Sequence, residues 1–187
     1  MYCTWRACAA GFLIAFCQYA TGLDVGEQLP ELLIPDRGQM VLLGKNIEYV
    51  PWRSTEIVSD KPAIFYYMPA NIRSEGAFNV LHEELAKRGL SSSQNFESVT
   101  IVNIEQAVWG TSRLAYAAIE NNKQENPSDI IVVDERGDAM TRWDLDLSEV
   151  ALIIVDGRGR LSYLHKGRPL QTDVEIIAGK LHGLTAQ

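Results

Sequence analysis

The sequence predicts an α/β protein in which a central mixed sheet is flanked by helices. Short apolar runs of strand length alternate with segments that have helical periodicity. The clearest strand, Ala63 to Tyr67, is bounded by Pro62 and Pro69. Two later strands end in the same pattern, an Asp followed three residues later by a Gly, which favours turns. This order predicts parallel strands joined by helices, with antiparallel strands added at the edges.

The N-terminal part of the domain predicts a β-hairpin extension. Gly26 to Pro30 leads into the apolar residues Leu32 to Ile34, and the segment Asp36 to Gly38 is interpreted as the turn before Met40 to Leu43. The hairpin therefore precedes the strand at Ala63.

Two helices are predicted around the next strand, Val99 to Val102. The first helix has Ser74 as its cap, a buried stripe and a stop at Gly89, and the stripe consists of Phe78, Leu81 and Leu85. The second begins at Thr111 or Ser112 and ends before Asn126 and Pro127. Strand and helix alternate as in a parallel sheet.

The last third of the chain repeats one strand and turn pattern. Ile130 to Gly137 reads IIVVDERG, and Leu152 to Gly159 reads LIIVDGRG. A single repetition does not indicate a repeat architecture. The second copy continues into Leu161 to Leu164, which predicts an antiparallel hairpin at one side of the sheet.

A final helix is predicted from a capping box formed by Thr172 and Glu175. Gly183 is expected to end it. The helix has an apolar stripe for burial against the sheet, at Val174, Ile177, Ala178 and Leu181.

Residues 1–22 have the pattern of a secretory signal peptide. Arg6 precedes the apolar run Ala7 to Phe16, and small residues follow at Ala20 and Gly22. We expect cleavage after one of these two, which leaves residues 23–187 as a single domain. An uncleaved anchor helix and a lipoprotein acylated at Cys17 are the alternatives. The run is too short for a typical membrane span, and Phe16 is large for the position before an acylated cysteine.

Cysteine content and charge restrict the function further. The three cysteines, Cys3, Cys8 and Cys17, all lie in the predicted signal, so the mature chain would contain no thiol and no disulfide. The formal net charge is −7 with no Lys/Arg block, which disfavours nucleic-acid binding. We expect no stable membrane insertion after signal cleavage.

The mature chain resembles the thioredoxin-like group that includes peroxiredoxins and exported thiol-disulfide proteins. The resemblance covers nearly all of it and is carried by Gly26 to Pro30, Asp36 to Gly38, Lys61 to Tyr67, Asp134 to Gly137 with Trp143, and Asp156 to Gly159. Within that group the chain is similar to the YtfJ family of exported bacterial proteins, through Thr100 to Asn103, Ala118 to Lys123 and Trp143 to Leu145. The resemblance implies a thioredoxin-like fold and the periplasm of a Gram-negative bacterium, and it implies no particular activity.

The departures from redox members of this group concern two parts of their site. Those members carry a cysteine between the first core strand and its helix, where the helix N-terminus lowers the thiol pKa. This chain has Met68 to Arg73 there. Redox thioredoxins also enter the strand that corresponds to Ala151 to Val155 through a cis-proline, and here Ser148 to Val150 precede it. Oxidoreductase and peroxidase functions are therefore disfavoured.

The same end of the sheet provides the candidate binding residues, which are Met68, Asn71, Arg73, Asn103 and Trp143. Arg73 and exposed backbone N–H groups at a helix start would attract a carboxylate or phosphate, although a solvated surface arginine is the commoner case. Asn103 follows a core strand, where ligand-facing residues gather, but Asn also caps turns. For Trp143, core packing is favoured over lining a cleft.

No cofactor and no metal site are predicted. Asp144 and Asp146 are too few for a calcium or magnesium site, and we interpret them as solvated loop acids. His82, His165 and His182 lie far apart in the sequence, without a zinc-ligand spacing.

The sequence as a whole favours an exported, non-redox binding domain whose partner is an unknown periplasmic protein or a small anionic ligand. The alternative is a cysteine-independent enzyme that uses Asn103, Arg73 and Asp144 in the same cleft. A third possibility, a transcriptional regulator, is disfavoured by the acidic charge and the export signal.

Overall fold

The computed structural model describes residues 23–57, 59–92, 94–105 and 112–186. Its strands are β1 (Leu33–Leu43), β2 (Asn46–Arg53), β3 (Ala63–Pro69), β4 (Glu97–Asn103), β5 (Ile130–Asp134), β6 (Ala151–Val155) and β7 (Leu161–Lys166). Its α-helices are α1 (Asn79–Lys87), α2 (Ser112–Glu125), α3 (Asp138–Trp143) and α4 (Gln171–Thr185). Two short 3-10 helices lie at Ser54–Ile57 and Ile72–Ser74.

A seven-stranded sheet in the order β2-β1-β5-β4-β3-β6-β7 organises the molecule. Strands β3, β4 and β5 are parallel, whereas β6, β7, β1 and β2 add antiparallel pairings on the two sides. The connections through α1 and α2 step across the sheet in one direction, and right-handed crossovers then place both helices on the same face. The predicted α/β class and mixed sheet are confirmed.

The sheet has a hydrophobic core on each face. On one face, Phe65 lies between the rings of Trp52 and Trp143, with ring centroids 6.4 and 5.4 Å away. The other face packs against α1 and α4, whose predicted stripes are buried as expected, and against α2. Because neighbouring residues of a strand point to opposite faces, Tyr66 and Tyr67 belong to different cores.

The predicted turn at Asp36 to Gly38 is wrong. This segment is a bulge inside the single strand β1, and the hairpin turn lies at Gly44 and Lys45 instead. Arg37 and Gly38 have φ values of 60° and 71°, so the strand kinks there and its pairing with β2 shifts register. Turns and bulges use the same residue types, which is why the sequence pattern favoured a turn.

Two predicted helix caps are also wrong. Ser74 ends the 3-10 helix, and α1 begins at Asn79 after Phe78, whose side chain makes no capping hydrogen bond. At α4, neither Thr172 nor Glu175 caps the helix, because it begins earlier than expected. The Leu170 N–H donates to the Asp173 carboxylate at 2.8 Å, and the helix continues past Gly183 to Thr185.

The repeated strand pattern has two different outcomes. After β5, the Asp134 carboxylate accepts the N–H groups of Asp138 and Ala139 at the start of the short helix α3, which the sequence analysis did not predict. After β6, Asp156 closes the tight turn of the predicted β6–β7 hairpin, where its Oδ1 accepts the N–H groups of Arg158 and Arg160, both at 2.9 Å. The same aspartate position serves both turns by accepting backbone N–H groups.

Some expectations lie outside the described residues. These are the signal peptide at 1–22, with all three cysteines, and the start of the second helix at Thr111. Within the part of the chain that is described, none of the helices has the length and apolar character required to cross a bilayer.

Candidate functional site

The loop after β3 contains Asn71 and Arg73, two of the candidate binding residues. The Ala70 N–H donates to the Asn103 carbonyl at 2.8 Å, which continues the pairing of β3 with β4. The Asn71 carboxamide oxygen accepts hydrogen bonds from the Ser74 N–H at 3.1 Å and from the Ser74 hydroxyl at 3.2 Å. Hydrogen bonds between its own residues therefore hold the loop in this conformation.

Arg168, from the segment between β7 and α4, braces this loop. Its guanidinium donates to the carbonyl oxygens of Arg73 at 2.8 Å, Glu75 at 2.9 Å and Gly76 at 3.3 Å. The Arg73 carbonyl belongs to the 3-10 helix, and the carbonyls of Glu75 and Gly76 follow it before α1 begins. Arg168 thus joins two loops into one surface.

Large apolar side chains are exposed on this surface. Ile72 is 90% exposed and Leu170 is 69% exposed, although both belong to residue types that folded proteins usually bury. The side chains of Arg73 and Arg168 are exposed beside them. We define the loop surface as Asn71, Ile72, Arg73, Arg168 and Leu170.

A buried polar pair lies beneath this loop at the ends of β3 and β4. The Asn103 carboxamide nitrogen donates to the Tyr67 hydroxyl at 2.9 Å, and its oxygen accepts the Glu105 N–H at 2.8 Å. Asn103 is 3% exposed. Burial raises the pKa of Tyr67 to about 12, against the opposing effect of the hydrogen bond from Asn103, so the phenol is neutral at pH 7. Both ends of the Asn103 amide are engaged within the fold.

Asp134 is a buried carboxylate at the end of β5. It accepts the N–H groups of Asp138 at 2.9 Å and Ala139 at 2.8 Å, which are free donors at the start of α3. Burial raises the pKa of Asp134, and these backbone hydrogen bonds oppose the shift. Gly137 has a φ of 70°, and a Cβ there would overlap the Glu105 carboxylate. The residues beside Asn103 are therefore tightly packed.

The candidate binding residues that the sequence analysis placed at one site lie in different parts of the structure. Asn71 and Arg73 lie on the exposed loop, and Asn103 lies beneath it with the turn-capping role that was its alternative. Met68 packs against the α1 and α4 core on one face of the sheet. Trp143 is fully buried on the opposite face, where its indole N–H donates to the Pro30 carbonyl at 2.9 Å. Core packing was the favoured role of Trp143.

The geometry gives little support to the alternative site of Asn103, Arg73 and Asp144. Asn103 is 3% exposed, and its amide nitrogen and oxygen each have a partner within the fold. Among the contacts of the described residues, no hydrogen bond or ion pair links Arg73 to Asn103 or Asp144. Asp144 has a φ of 50° at the end of α3, and its carbonyl accepts the Lys166 ammonium at 2.7 Å. In the described residues, no three His, Cys, Asp or Glu side chains are placed to hold a metal ion.

Sequence reasoning missed four residues of this end of the sheet: Tyr67, Ile72, Arg168 and Leu170. Tyr67 is hidden in an apolar run, and only its position at the strand end suggests a polar contact. Ile72 lies between Asn71 and Arg73, and Leu170 lies between Pro169 and Gln171; a single large apolar residue in such a segment carries no periodic signal. The contacts of Arg168 join parts of the chain that are distant in sequence, so no local pattern predicts them.

Comparison with known proteins places the chain among bacterial relatives of similar length. An uncharacterized protein of Haemophilus influenzae is 23% identical over 179 residues, which cover 96% of each chain. The uncharacterized protein YtfJ of Escherichia coli is 25% identical over 172 residues, which cover 92% of each chain.

Solved structures support the fold. A structure assigned as the thiol:disulfide interchange protein DsbE of Chlorobium tepidum has a TM-score of 0.59 at 14% identity and covers 88% of this chain and 99% of its own. A peroxiredoxin-like protein of Aquifex aeolicus has a TM-score of 0.51 at 16% identity, covering 87% of this chain and 88% of its own. At such identities these similarities concern the fold, which is thioredoxin-like. The profile of a family described as bacterial proteins of unknown function matches residues 23–184, and the chain therefore belongs to that family, YtfJ_HI0045.

Proposed function

We propose that this protein is a non-redox, partner-binding domain and that the loop surface is its binding site. The observation that carries the proposal is that Ile72 is 90% exposed and Leu170 is 69% exposed on the two loops that Arg168 joins. In redox proteins of this fold the same end of the sheet carries the reactive thiol, and here no cysteine follows Cys17. A retained scaffold without its thiol supports a role in binding.

The internal order of the loop supports binding without a large entropic cost. The Asn71 carboxamide oxygen accepts a hydrogen bond within the 3-10 turn. Arg168 donates three more hydrogen bonds to the carbonyl oxygens of Arg73, Glu75 and Gly76. A surface that is ordered before binding loses less conformational freedom when the partner arrives. The exposed apolar groups are thus presented in a defined arrangement.

The chemistry of the loop surface favours a protein partner over a small anion. Two large apolar side chains provide the buried centre of an interface, and the flanking Arg73 and Arg168 suit carboxylates at its rim. Arg73 does not lie at the start of an α-helix, because α1 begins at Asn79, and the Ser74 N–H is already bonded to Asn71. The expected partner is a protein segment with apolar and acidic side chains.

We further propose that the protein acts in the periplasm after removal of residues 1–22. Arg6, the apolar run Ala7 to Phe16 and the small residues Ala20 and Gly22 support this, since they have the order of a secretory signal. Loss of this segment also removes Cys3, Cys8 and Cys17.

Site-specific photo-crosslinking tests the binding proposal. A photoreactive phenylalanine analogue is introduced into the full chain at Ile72 or Leu170, and at Leu114 as the control, which is 71% exposed on α2. After irradiation of cells, we expect one discrete protein adduct from both loop positions and none from Leu114. In the chain labelled at Leu170, Ile72→Glu should abolish the adduct, because a carboxylate cannot enter an apolar contact.

The matched substitution Leu114→Glu should leave the Leu170 adduct unchanged. The proposal is contradicted when all three labelled positions give the same adducts, when none gives an adduct, or when Ile72→Glu has no effect. Thermal unfolding of each variant separates loss of binding from loss of folding.

A further inference from the structure

A cavity of about 360 Å³ lies at the opposite end of the sheet from the loop surface. It opens between the end of α1 and the segment that precedes β5, beside the first residues of β4. Its apolar wall is formed by Leu85, Leu90, Phe96 and Ile130. The volume lies in the range of pockets that hold small organic ligands.

Tyr66 provides a polar group that is open to this cavity. The side chain is 3% exposed and packs against Phe78, with ring centroids 4.9 Å apart, and against His82 at 5.2 Å. Tyr66 lines the cavity, yet its hydroxyl has no hydrogen-bond partner among the described residues. In the part of the chain that the structure describes, the fully buried side-chain atoms without a partner are Trp52 Nε1 and His165 Nε2, so the Tyr66 hydroxyl oxygen is open to the cavity. A polar atom of a molecule in the cavity can therefore bond to it.

The charged groups of the cavity are acidic. The carboxylates of Glu97 and Asp129 line it, and neither forms an ion pair with a described side chain. The Lys123 ammonium is not among the lining residues; it donates to the carbonyl oxygens of Pro127 and Asp129 and interacts electrostatically with the Asp129 carboxylate. Burial lowers the pKa of His82, so this imidazole is neutral at pH 7. The cavity therefore presents a net negative charge with apolar and hydroxyl walls.

We propose that this cavity binds a small organic amine with an apolar or aromatic body. The carboxylates of Glu97 and Asp129 attract the ammonium group of the ligand, and the apolar wall packs against its body. The Tyr66 hydroxyl forms a hydrogen bond with a polar atom of the ligand. A carboxylate or phosphate ligand is disfavoured, because two acidic groups repel it and no Lys or Arg is among the lining residues. This binding site is independent of the loop surface.

Three matched probes test the charge selectivity. Tyramine, tyrosol and 4-hydroxyphenylacetate share a phenol ring and carry an amine, an alcohol and a carboxylate. Binding to the full mature chain is measured from NMR amide shifts during titration. We expect tyramine to shift the amides of residues around Tyr66, Ser98 and Asp129, with at least tenfold weaker binding of tyrosol and no saturable binding of 4-hydroxyphenylacetate.

Two conservative variants test the residues. Asp129→Asn removes one charge and Tyr66→Phe removes one hydroxyl, and each should weaken tyramine binding at least threefold. Glu48→Gln, an exposed substitution on β2, is the matched control and should leave binding unchanged. Equal binding of the three probes would show that charge does not select the ligand, and no tyramine binding would show that the cavity holds water only. Full binding by both cavity variants would place the bound probe outside the cavity. Each of these outcomes would overturn the proposal. Amide spectra of the free variants verify that they are folded.

Discussion

The role of a polar residue in this protein depends on its hydrogen-bond partners within the fold. Asn103 had the sequence context of a ligand-facing residue, yet its amide is used by Tyr67 and Glu105. Tyr66 and Tyr67 are adjacent in the sequence, but only the Tyr67 hydroxyl has a hydrogen-bond partner, Asn103. The Tyr66 hydroxyl has none among the described residues. Residue type and position gave no means to separate these roles, because each depends on a neighbour from another strand.

The two aspartates of the repeated pattern provide a matched pair for stability. Asp134→Ala should lower the free energy of unfolding by about 3 kcal/mol, since it leaves the partly buried N–H of Asp138 and the buried N–H of Ala139 without acceptors. Asp156→Ala should cost about 1 kcal/mol, because the N–H groups of Arg158 and Arg160 are exposed and water replaces the lost acceptor. Urea denaturation of both variants measures the difference. Equal losses would show that burial does not govern the role of this aspartate.

The bulge in β1 brings a charged side chain into contact with residues of three neighbouring elements. It directs the Arg37 guanidinium onto the rings of Tyr49 and Tyr116, at 5.0 and 5.1 Å from their centroids. Glu135, 3.6 Å from Arg37, also accepts the Tyr116 hydroxyl at 2.6 Å. The bulge thereby ties β1 to β2, α2 and the end of β5.

Two glycines of the same hairpin test the bulge. Gly38→Ala should lower the free energy of unfolding by about 3 kcal/mol or prevent folding, because the added Cβ overlaps the Val50 carbonyl oxygen at a φ of 71°. Gly44→Ala shares the positive φ, 66°, but meets no atom within 4 Å, so we expect a loss of about 1 kcal/mol. Thermal and urea unfolding compare the two. A Gly38→Ala protein as stable as Gly44→Ala would exclude a steric requirement at the bulge.

The elements that the sequence predicted well are those with long periodic or apolar patterns. The β3 strand, the stripe of α4 and the β6–β7 hairpin follow from such patterns. The strand β2 and helix α3 were missed for different reasons. β2 is mostly exposed and contains Pro51, and α3 has only six residues, too few for a helical period to be visible.

At the scale of the whole molecule, the sequence predicted the class and the sheet because alternating strands and helices admit few topologies. It did not predict the loop surface, which joins residues from two distant loops through Arg168. The cavity at the other end of the sheet also depends on how α1 packs relative to the segment before β5. Contacts of this kind require the three-dimensional arrangement.

The proposed maturation has a direct consequence for the whole chain. Protein isolated from the periplasm, unfolded and treated with iodoacetamide, should show no increase in mass, since removal of residues 1–22 leaves no cysteine. Its unfolding curve should also be identical with and without dithiothreitol. Full-length chain produced without export serves as the positive control for alkylation. A modified cysteine in the exported form would show that at least one of Cys3, Cys8 and Cys17 is retained.

Strand β4 begins at Glu97, beside the cavity, and ends at Asn103, beneath the loop surface. The two ends are roughly 20 Å apart, given about 3.3 Å for each residue of a strand. Because β4 is paired with β3 on one edge and with β5 on the other, it can neither slide nor stretch. The two proposed ligands, a small amine and a protein segment, would therefore occupy opposite ends of one rigid strand without competing for the same surface.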